Sequence, residues 1–395
     1  MRQVYLDNNA TTRVAPEVVE AMAPYWGELY GNPSSMHSFG GNLKQDIDRA
    51  REKVVALLGA RSPGEIVFTS GGSESDNLAI RGTVEALAGR KRHLVTTRVE
   101  HPAVRGMFHH LQKQGFHLTE LPVDSTGALD LDQLAQAITP DTAIVSVMWA
   151  NNETGVVFPV ERIAEIVKAR GAVFHTDAVQ VAGKLPIDVS KVPVDLLSIS
   201  GHKVHAPKGI GALYVRKGTK LVPLMVGGHQ EKGKRAGTEN VPSIVALGVA
   251  CELAGRFMGE ENTRIRALRD KLQAGILSRC KDVRVNGARR LPNTLNVSFE
   301  YVEGEAILLM LDTYGISASS GSACASGSLE PSHVMRAMGV PFTAAHGSIR
   351  FSLSRYNTEE EMDYVLEHLP PIIERLREIS PFSDGKEWQG TPLPH

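Results

Sequence analysis

Short apolar runs alternate with helical patterns between residues 65 and 215, and this alternation is the feature that most limits the possible folds. Strands are predicted at Glu65–Thr69, Leu94–Thr97, Leu118–Val123, Ala143–Trp149, Ala172–Thr176, Val194–Ser200 and Gly209–Val215. Helices are predicted between them, for example over Leu131–Ile138 and Val160–Arg170. Alternating strands and helices of these lengths are typical of an α/β fold, in which helices cover both faces of a mostly parallel sheet.

The length of 395 residues suggests a large domain and a smaller one. Clusters of Asn, Pro and Ser up to Phe39 indicate an irregular N-terminal segment that lies across other structure. A helical tract from Pro242 to Cys280 is expected to break between Gly255 and Gly259, and the elements after it indicate an α+β unit. We therefore predict an N-terminal arm over residues 1–15, a large domain over 16–260, a small domain over 261–380 and a polar tail over 381–395.

The composition limits which partners the protein is expected to bind and in which compartment it is expected to fold. The formal net charge of -1 argues against nucleic acid or an anionic membrane as the main partner. The first seven residues lack the apolar core of a signal peptide, and we expect no membrane span. The chain has three cysteines and no CxxC pair, so we expect neither a disulfide framework nor a structural zinc site. We therefore expect a soluble, cytoplasmic protein with no resident metal.

The strand Val194–Ser200 is followed at once by Gly201, His202 and Lys203. In open α/β sheets ligands bind beyond the carboxyl ends of the strands, so Lys203 stands where a cofactor would bind. A lysine amine there can form a Schiff base with a carbonyl cofactor such as pyridoxal phosphate. The alternative is one more solvated surface lysine.

Asp177 follows the predicted strand Ala172–Thr176, and Gln180 comes three residues later. A carboxylate at the edge of a sheet between apolar neighbours is costly to bury without a partner. A protonated pyridine nitrogen is one such partner, and the pair makes the ring a better electron sink. The alternatives for Asp177 are a helix cap and a surface salt bridge.

Other predicted strand ends carry polar or small residues as well. Gly72 and Ser73 stand between a strand and a helix, where backbone N–H groups can bind phosphate or simply form a capped turn. His101 follows another strand and can stack on a cofactor or carry protons, although a lone histidine is more often structural. Asn152 follows a further strand. Because all these ends meet at one edge of the sheet, together they favour a phosphate-bearing cofactor held by a lysine.

The C-terminal part offers a thiol and a guanidinium. Cys324 lies in the polar, small-residue stretch Ser319–Ser328, which predicts an accessible and reactive thiol rather than a packed one. Cys251 and Cys280 are predicted to be packing or surface residues. Arg350 lies in a predicted strand, where it could clamp a carboxylate or form a structural salt bridge.

With these residues in view, nearly the whole chain resembles the pyridoxal-phosphate-dependent cysteine desulfurases. The motifs that carry the resemblance are Tyr5–Thr12, Thr69–Asn77, Glu100–Pro102, Asn151–Gly155, His175–Gln180, Ser200–Lys203 and Arg235–Asn240. The continuous stretch from Cys324 through His333 is similar to the long-loop group. Within that group, His202–Lys208 and Gly227–Glu231 resemble the nitrogen-fixation (NifS-like) type.

The resemblance implies the fold of the aspartate-aminotransferase class (fold type I) and a homodimer with active sites at the subunit boundary. It assigns Lys203 to the Schiff base and to catalysis, and His101 to stacking on the ring and proton transfer. The remaining cofactor contacts it implies are Asp177 at the pyridine nitrogen, Gln180 at the ring hydroxyl, Gly72, Ser73, Ser200 and His202 at the phosphate, and Thr238 from the other subunit. Asn152 and Arg350 would hold the substrate carboxylate, and Asn152 would also contact the cofactor.

The implied reaction takes sulfur from L-cysteine, leaves L-alanine and places a persulfide on Cys324 for an iron–sulfur scaffold protein. The only metal contact expected is a transient iron–sulfur contact at Cys324. Three alternatives stay open at this point: an aminotransferase of the same fold, a selenocysteine lyase and a non-catalytic sulfur-carrying scaffold.

Overall fold

The computed structural model describes residues 2–87, 89–320 and 331–380. The strands of this part are β1 (Val4–Tyr5), β2 (Ile66–Thr69), β3 (His93–Thr97), β4 (His117–Leu121), β5 (Thr142–Ser146), β6 (Val173–Asp177), β7 (Leu196–Ser200), β8 (Gly211–Val215), β9 (Val283–Val285), β10 (Thr294–Phe299), β11 (Ile316–Ser317), β12 (Ser319–Ser320) and β13 (Ser348–Ser352). The helices are α1 (Pro16–Met22), α2 (Ser38–Gly41), α3 (Leu43–Leu58), α4 (Gly72–Ala86), α5 (Pro102–Lys113), α6 (Leu131–Ala137), α7 (Val160–Ala169), α8 (Val241–Arg279), α9 (Gly304–Thr313), α10 (His333–Ala337), α11 (Phe342–Ala345) and α12 (Glu359–Ile379).

A seven-stranded sheet in the order β2-β8-β7-β6-β5-β3-β4 forms the centre of the described residues. The pairings from β7 through β6, β5 and β3 to β4 are parallel, whereas β8 runs antiparallel between β7 and β2. The prediction of an α/β fold with a mostly parallel sheet is therefore confirmed. The carboxyl ends of β2, β3, β6 and β7 meet at the same edge of the sheet, because those strands run in the same direction.

The alternation of side chains along each strand explains why helices cover both faces. In β7, Leu196 packs into one core with α4 and α5, and Leu197 packs into another with α3, α7 and α8. The same split separates Leu94 from Val95 in β3, because successive side chains of a strand point to opposite faces. A strand with both faces buried reads as a continuous apolar run, which is the pattern that the sequence shows.

A second sheet, β12-β13-β10-β9, is antiparallel and has its own core. Leu272 of α8, Phe299 of β10 and Leu369 of α12 are buried in that core. Val4 joins it, because β1 pairs with β11 of the same chain. The division at residues 15, 260 and 380 stays a prediction.

Two local predictions are wrong. The N-terminal segment is not irregular up to Phe39, because α1 begins at Pro16, whose fixed φ suits the first turn of a helix. The helical tract does not break near Gly255 and Gly259, since α8 is continuous. A β-carbon at either glycine would meet nothing within 4 Å, so both lie on an open face of α8. Packing of the two halves of α8 into different cores outweighs the cost of about 1 kcal/mol for each glycine.

Among the described helices, α8 contains an 18-residue window that is long and apolar enough to cross a membrane by length and composition alone. The expectation of no membrane span stays a prediction. Half of that window is buried inside the protein, and its side chains Ile244 and Leu247 lie in the core beside α3. Its apolar character is therefore accounted for by packing.

Candidate active site

A cleft of about 390 Å³ opens at the carboxyl edge of the central sheet. The predicted site residues that line it are Gly72, Ser73, His101, Asn152, Asp177, Gln180, Ser200, His202, Lys203 and Arg350. The structure thus brings together predicted residues that are up to 278 positions apart in the sequence, from Gly72 to Arg350. Thr238 is exposed outside the lining of the cleft, and Cys324 lies outside the described residues.

Lys203 closes a short 3₁₀ turn, Gly201–Lys203, directly after β7. Its Nζ donates hydrogen bonds to the carbonyl oxygens of Asn9 at 2.5 Å and Ala10 at 2.7 Å. A β-carbon on Gly201 would stand 2.7 Å from the side chain of Ile210, so only glycine fits this tight exit from the strand. The amine is therefore held inside the cleft by the N-terminal segment, rather than extended into solvent.

Asp177 is the last residue of β6 and is 5% exposed. Its Oδ1 accepts a hydrogen bond from the backbone N–H of Val179 at 2.9 Å. Burial raises the pKa of Asp177, while the neighbouring His101 and Lys203 oppose that shift. A buried carboxylate of this kind needs a cation in the cleft, and a protonated ring nitrogen would supply one.

Gln180, like Lys203, bonds to the N-terminal segment at Asn9. Its Nε2 donates to the Asn9 carbonyl oxygen at 3.0 Å. Its Oε1 is buried and has no hydrogen-bond partner among the residues that the structure describes. Such an orphaned acceptor costs free energy unless a ligand donates to it, so Gln180 fits a site for a hydroxyl group.

His101 caps the N-terminus of α5. Its Nδ1 accepts a hydrogen bond from the backbone N–H of Ala103 at 3.1 Å. A nitrogen that accepts from an N–H carries no proton, so the proton of the neutral ring lies on Nε2. Burial lowers the pKa of His101; nearby Asp177 raises it and Lys203 lowers it. In this conformation the imidazole is a donor through Nε2.

The N-terminus of α4, with Gly72 and Ser73, lines one corner of the cleft together with Ser200. A β-carbon on Gly72 would stand 3.0 Å from Val179 Cγ2 and 3.4 Å from Ser200 Cβ, so a larger residue would push these neighbours aside. Glycine fits this turn without that shift, and the N-terminal N–H groups of α4 suit an anion. Burial and the charge of Lys203 lower the pKa of His202, which also lines the corner, to about 4, so that His202 is neutral at pH 7.

Arg350 enters the cleft from β13 of the second sheet. Its guanidinium donates to Asp7 Oδ1 at 2.7 Å and to the Asn152 carbonyl oxygen at 3.0 Å. The salt bridge that the sequence left as an alternative is therefore present. Nε of Arg350 is buried without a hydrogen-bond partner in the described part of the chain, so the side chain keeps a donor for an anion.

Sequence reasoning missed a buried pair that holds the chain after residue 330. Ser332 donates to Glu153 Oε2 at 2.5 Å, and His333 Nε2 contacts the Glu100 carbonyl oxygen at 3.0 Å. Burial raises the pKa of Glu153 to about 7 and that of Glu100 to about 8. Glu153 lies beside Asn152 in the motif Asn151–Gly155, and Ser332 lies in the stretch from Cys324 through His333. Nothing in the sequence indicated that Glu153 and Ser332 form a hydrogen bond.

Other cleft residues that the prediction of site residues omitted are Asp7, Asn9, Ala10, Asp76, Met148, Glu153, Val179, Ser319 and Ser320. The first three lie in the motif Tyr5–Thr12, which was noticed for its resemblance alone. Asp76 lies in the motif Thr69–Asn77 and carried no signal besides that resemblance, because an acidic residue in a helix is most often solvated.

The described cysteines behave as the sequence suggested. Cys251 is buried in α8, and burial raises the pKa of its thiol to about 12. Cys280 is half-buried at the end of α8, with a pKa raised to about 11 by burial. Neither is activated as a thiolate at neutral pH.

Comparisons with known proteins show which family the chain resembles. The aminotransferase class-V family matches residues 4–365. Cysteine desulfurase NifS of Azotobacter vinelandii is 57% identical over 387 residues, which cover 98% of this chain and 96% of that protein. A cysteine desulfurase of Nostoc sp. is 58% identical over 388 residues, with 98% and 96% covered.

Solved structures show the same likeness in three dimensions. A NifS-like protein superposes with a TM-score of 0.89 at 42% identity, over 95% of this chain and all of the other. SspA in complex with cysteine superposes with a TM-score of 0.79 at 37% identity, over 90% of this chain and 100% of the other.

Proposed function

Because the chain belongs to the aminotransferase class-V family and is a cysteine desulfurase, we propose that it binds pyridoxal 5′-phosphate in the cleft around Lys203 and passes the sulfur of L-cysteine to Cys324. The observation that carries the proposal is the convergence of Lys203, Asp177 and His101 at one edge of the sheet. A lysine amine beside a buried carboxylate is the arrangement that this cofactor requires.

The unsatisfied groups of the cleft match the cofactor group by group. Asp177 needs a cation, and the protonated ring nitrogen would provide it. Gln180 Oε1 needs a donor, which the ring hydroxyl would provide. The turn at Gly72 and Ser73, with Ser200, would bind the phosphate. Once bound, the cofactor would withdraw electrons from the α-carbon of an amino acid.

The residues of this chain would divide the remaining work. Lys203 Nζ would hold the aldehyde carbon of the cofactor and move a proton within the cleft. Arg350, with its free Nε, would bind the substrate carboxylate beside Asn152. His101 Nε2 would donate its proton into the cleft, because Nδ1 is occupied by Ala103.

Cys324 is proposed as the sulfur acceptor because both described ends of its segment meet the cleft. Ser320 lines the cleft four residues before Cys324, a reach of at most roughly 14 Å along an extended chain. Ser332, eight residues after Cys324, is bonded to Glu153 in the same cleft. In the proposed step the Cys324 thiolate attacks the substrate sulfur: an S–S bond forms and the C–S bond breaks. The carbon keeps the electron pair, gains a proton and becomes the methyl group of alanine.

We extend the proposal to a homodimer, supported by exposed aromatic and apolar side chains. Trp26 is 67% exposed, Tyr30 70% and Val226 86%, and Met36 is fully exposed. Large apolar side chains with this degree of exposure are the kind that an interface between subunits would cover. Thr238, which lies outside the lining of its own cleft, would then reach the phosphate of the partner subunit.

The acceptor and the setting are proposed from the likeness to NifS of Azotobacter vinelandii. We propose an iron–sulfur scaffold protein as the acceptor of the persulfide, a role in nitrogen fixation and a cytoplasmic location. The near-neutral charge and the few cysteines of the chain support that location.

The test compares the wild type with Cys324→Ala, incubated with L-cysteine and a thiol reductant. We expect the wild type to release alanine and sulfide in equal amounts, and the variant to lose sulfide release while it keeps the cofactor absorption. Cys280→Ala, which changes a half-buried thiol, is the matched control and should behave like the wild type. Full sulfide release from Cys324→Ala would refute Cys324 as the acceptor, and transamination alone would favour an aminotransferase.

A further inference from the structure

A second carboxylic acid lies beside Asp177 beneath the cleft. Asp76, in the first turns of α4, is 1% exposed and lines the same cavity. Polar atoms of Asp76, His101 and Asp177 lie within 4.8 Å of one another. Asp76 Oδ1 has no hydrogen-bond partner among the described side chains and backbone. The mechanism above gives this acid no role.

Both acids cannot be ionised together at small cost. The two acids lie within 4.8 Å of each other. At an effective dielectric constant of about 20, repulsion at that distance lowers the equilibrium constant for ionising the second acid by a factor of at least roughly 100. Burial adds to this penalty for each acid. Repulsion and burial therefore both favour a state in which Asp76 and Asp177 together hold one proton.

The surroundings place that proton on Asp76. Asp177 has the N–H of Val179 and the charge of Lys203 to stabilise an anion. Asp76 faces the carboxyl groups of Asp177 and Glu100, and the hydroxyl of Ser198 is its stabilising contact.

The histidine beside Asp76 does not supply a positive charge. His175 Nε2 lies 3.5 Å from Asp76 Oδ1. The ring of His175 is held between Ser146 at 2.8 Å and Ser198 at 3.0 Å, and burial lowers the pKa of His175 to about 3. His175 is therefore neutral and does not stabilise an ionised Asp76.

We propose that Asp76 is a positioning residue that carries the single proton of the buried Asp76–Asp177 pair and so keeps Asp177 ionised opposite the cofactor ring nitrogen. The inference rests on the proposed pyridoxal phosphate site for its function. The location of the proton rests on the burial and the contacts of Asp76 and Asp177 in this chain, and not on a bound cofactor.

Infrared difference spectra of the holoenzyme at pH 7 test the location of the proton, because a carboxylic acid has a C=O band separate from those of carboxylates. Asp76→Asn keeps the shape of the neutral acid, so we expect the spectrum to lose one acid band. Glu100 is another buried acid near Asp76, and burial raises its pKa to about 8. Glu100→Gln therefore shows what the loss of one acid band looks like. Loss of carboxylate bands alone in Asp76→Asn would overturn the proposal. Failure of this variant to fold would also count against it, since asparagine mimics the neutral acid.

Equilibrium dialysis of pyridoxal phosphate from the holoenzyme tests the function. We expect Asp76→Asn to keep the dissociation constant within about threefold, and Asp177→Asn to weaken binding on the order of 100-fold, because only Asp177 carries charge. Equal weakening by both variants would overturn the inference. An unaffected Asp177→Asn would instead refute the placement of the cofactor, while the infrared result would still judge the proton.

Discussion

The substitution Gly72→Ala tests the phosphate corner of the cleft with the smallest possible change. The added β-carbon would stand 3.0 Å from Val179 Cγ2, a separation that carbon atoms rarely show, so Val179 must move by a few tenths of an ångström. Val179 lines the cleft, and its N–H holds Asp177 Oδ1 at 2.9 Å. One methyl group would therefore disturb both the proposed phosphate corner and the carboxylate proposed to face the ring nitrogen.

The expected magnitude follows from the cost of overpacking, about 1 to 3 kcal/mol. If that cost falls on the bound state, the dissociation constant of pyridoxal phosphate rises about 5- to 150-fold. The assay is a titration of Gly72→Ala with pyridoxal phosphate, followed by its absorption, after the cofactor has been removed from wild type and variant alike. Thermal unfolding of both proteins separates weakened binding from a damaged fold.

Gly106→Ala is the matched control, since Gly106 also lies in a helix, α5, but a β-carbon there would meet nothing within 4 Å. It should leave the affinity unchanged and raise the free energy of unfolding by about 0.5 to 1 kcal/mol, the usual gain for alanine over glycine in a helix. If Gly72→Ala bound the cofactor as tightly as Gly106→Ala, the phosphate would not sit at this turn, and the reasoning from the close contact would be wrong.

Three further substitutions test the contacts around the cleft by urea unfolding. Ser332→Ala removes the hydroxyl that binds Glu153 and should lower the free energy of unfolding by about 2 kcal/mol. Ser332→Thr keeps a hydroxyl and should lose much less stability, so equal losses in the two variants would contradict this. The folded pKa of Glu153 is raised to about 7, above its unfolded value, so wild-type stability should fall as pH rises from about 4.3 to 7. Glu153→Gln should remove about 3 to 4 kcal/mol of that fall between pH 4 and 8, and parallel pH curves for the two proteins would exclude this. Asp7→Ala leaves Arg350 buried without its carboxylate and should cost about 3 kcal/mol; no change would mean that the Asn152 carbonyl suffices.

The central sheet and most of the cleft could be predicted because both depend on local patterns. The buried parallel strands are rich in apolar residues, and most of the predicted cofactor contacts lie at or just after the end of such a strand. Asp177 is the last residue of β6 and Lys203 comes three positions after β7, so the direction of the strands alone brings them together. The same reasoning holds for His101 after β3.

The contacts that the sequence did not predict are those between distant segments. A backbone carbonyl has no sequence signature, so the bonds of Lys203 to Asn9 and Ala10 could not be foreseen. Asp76 reads as a solvated helix residue until the fold buries it against Asp177. The break expected in α8 failed for a similar reason, because tertiary packing outweighed the local preference of its glycines.

Residues 7–10 explain how two separate sheets can share one cleft. Asp7 binds Arg350 of the second sheet, while the Asn9 carbonyl oxygen accepts from Lys203 and Gln180 of the first. The Asn9 side chain bonds Thr294 Oγ1 at 2.9 Å, so one residue fixes the lysine relative to β10. The amine that would bind the cofactor and the guanidinium that would bind the substrate belong to different cores, and neither core alone sets the distance between them. The N-terminal segment sets that distance, and the reaction geometry therefore depends on a segment that contributes backbone carbonyls more than reactive side chains.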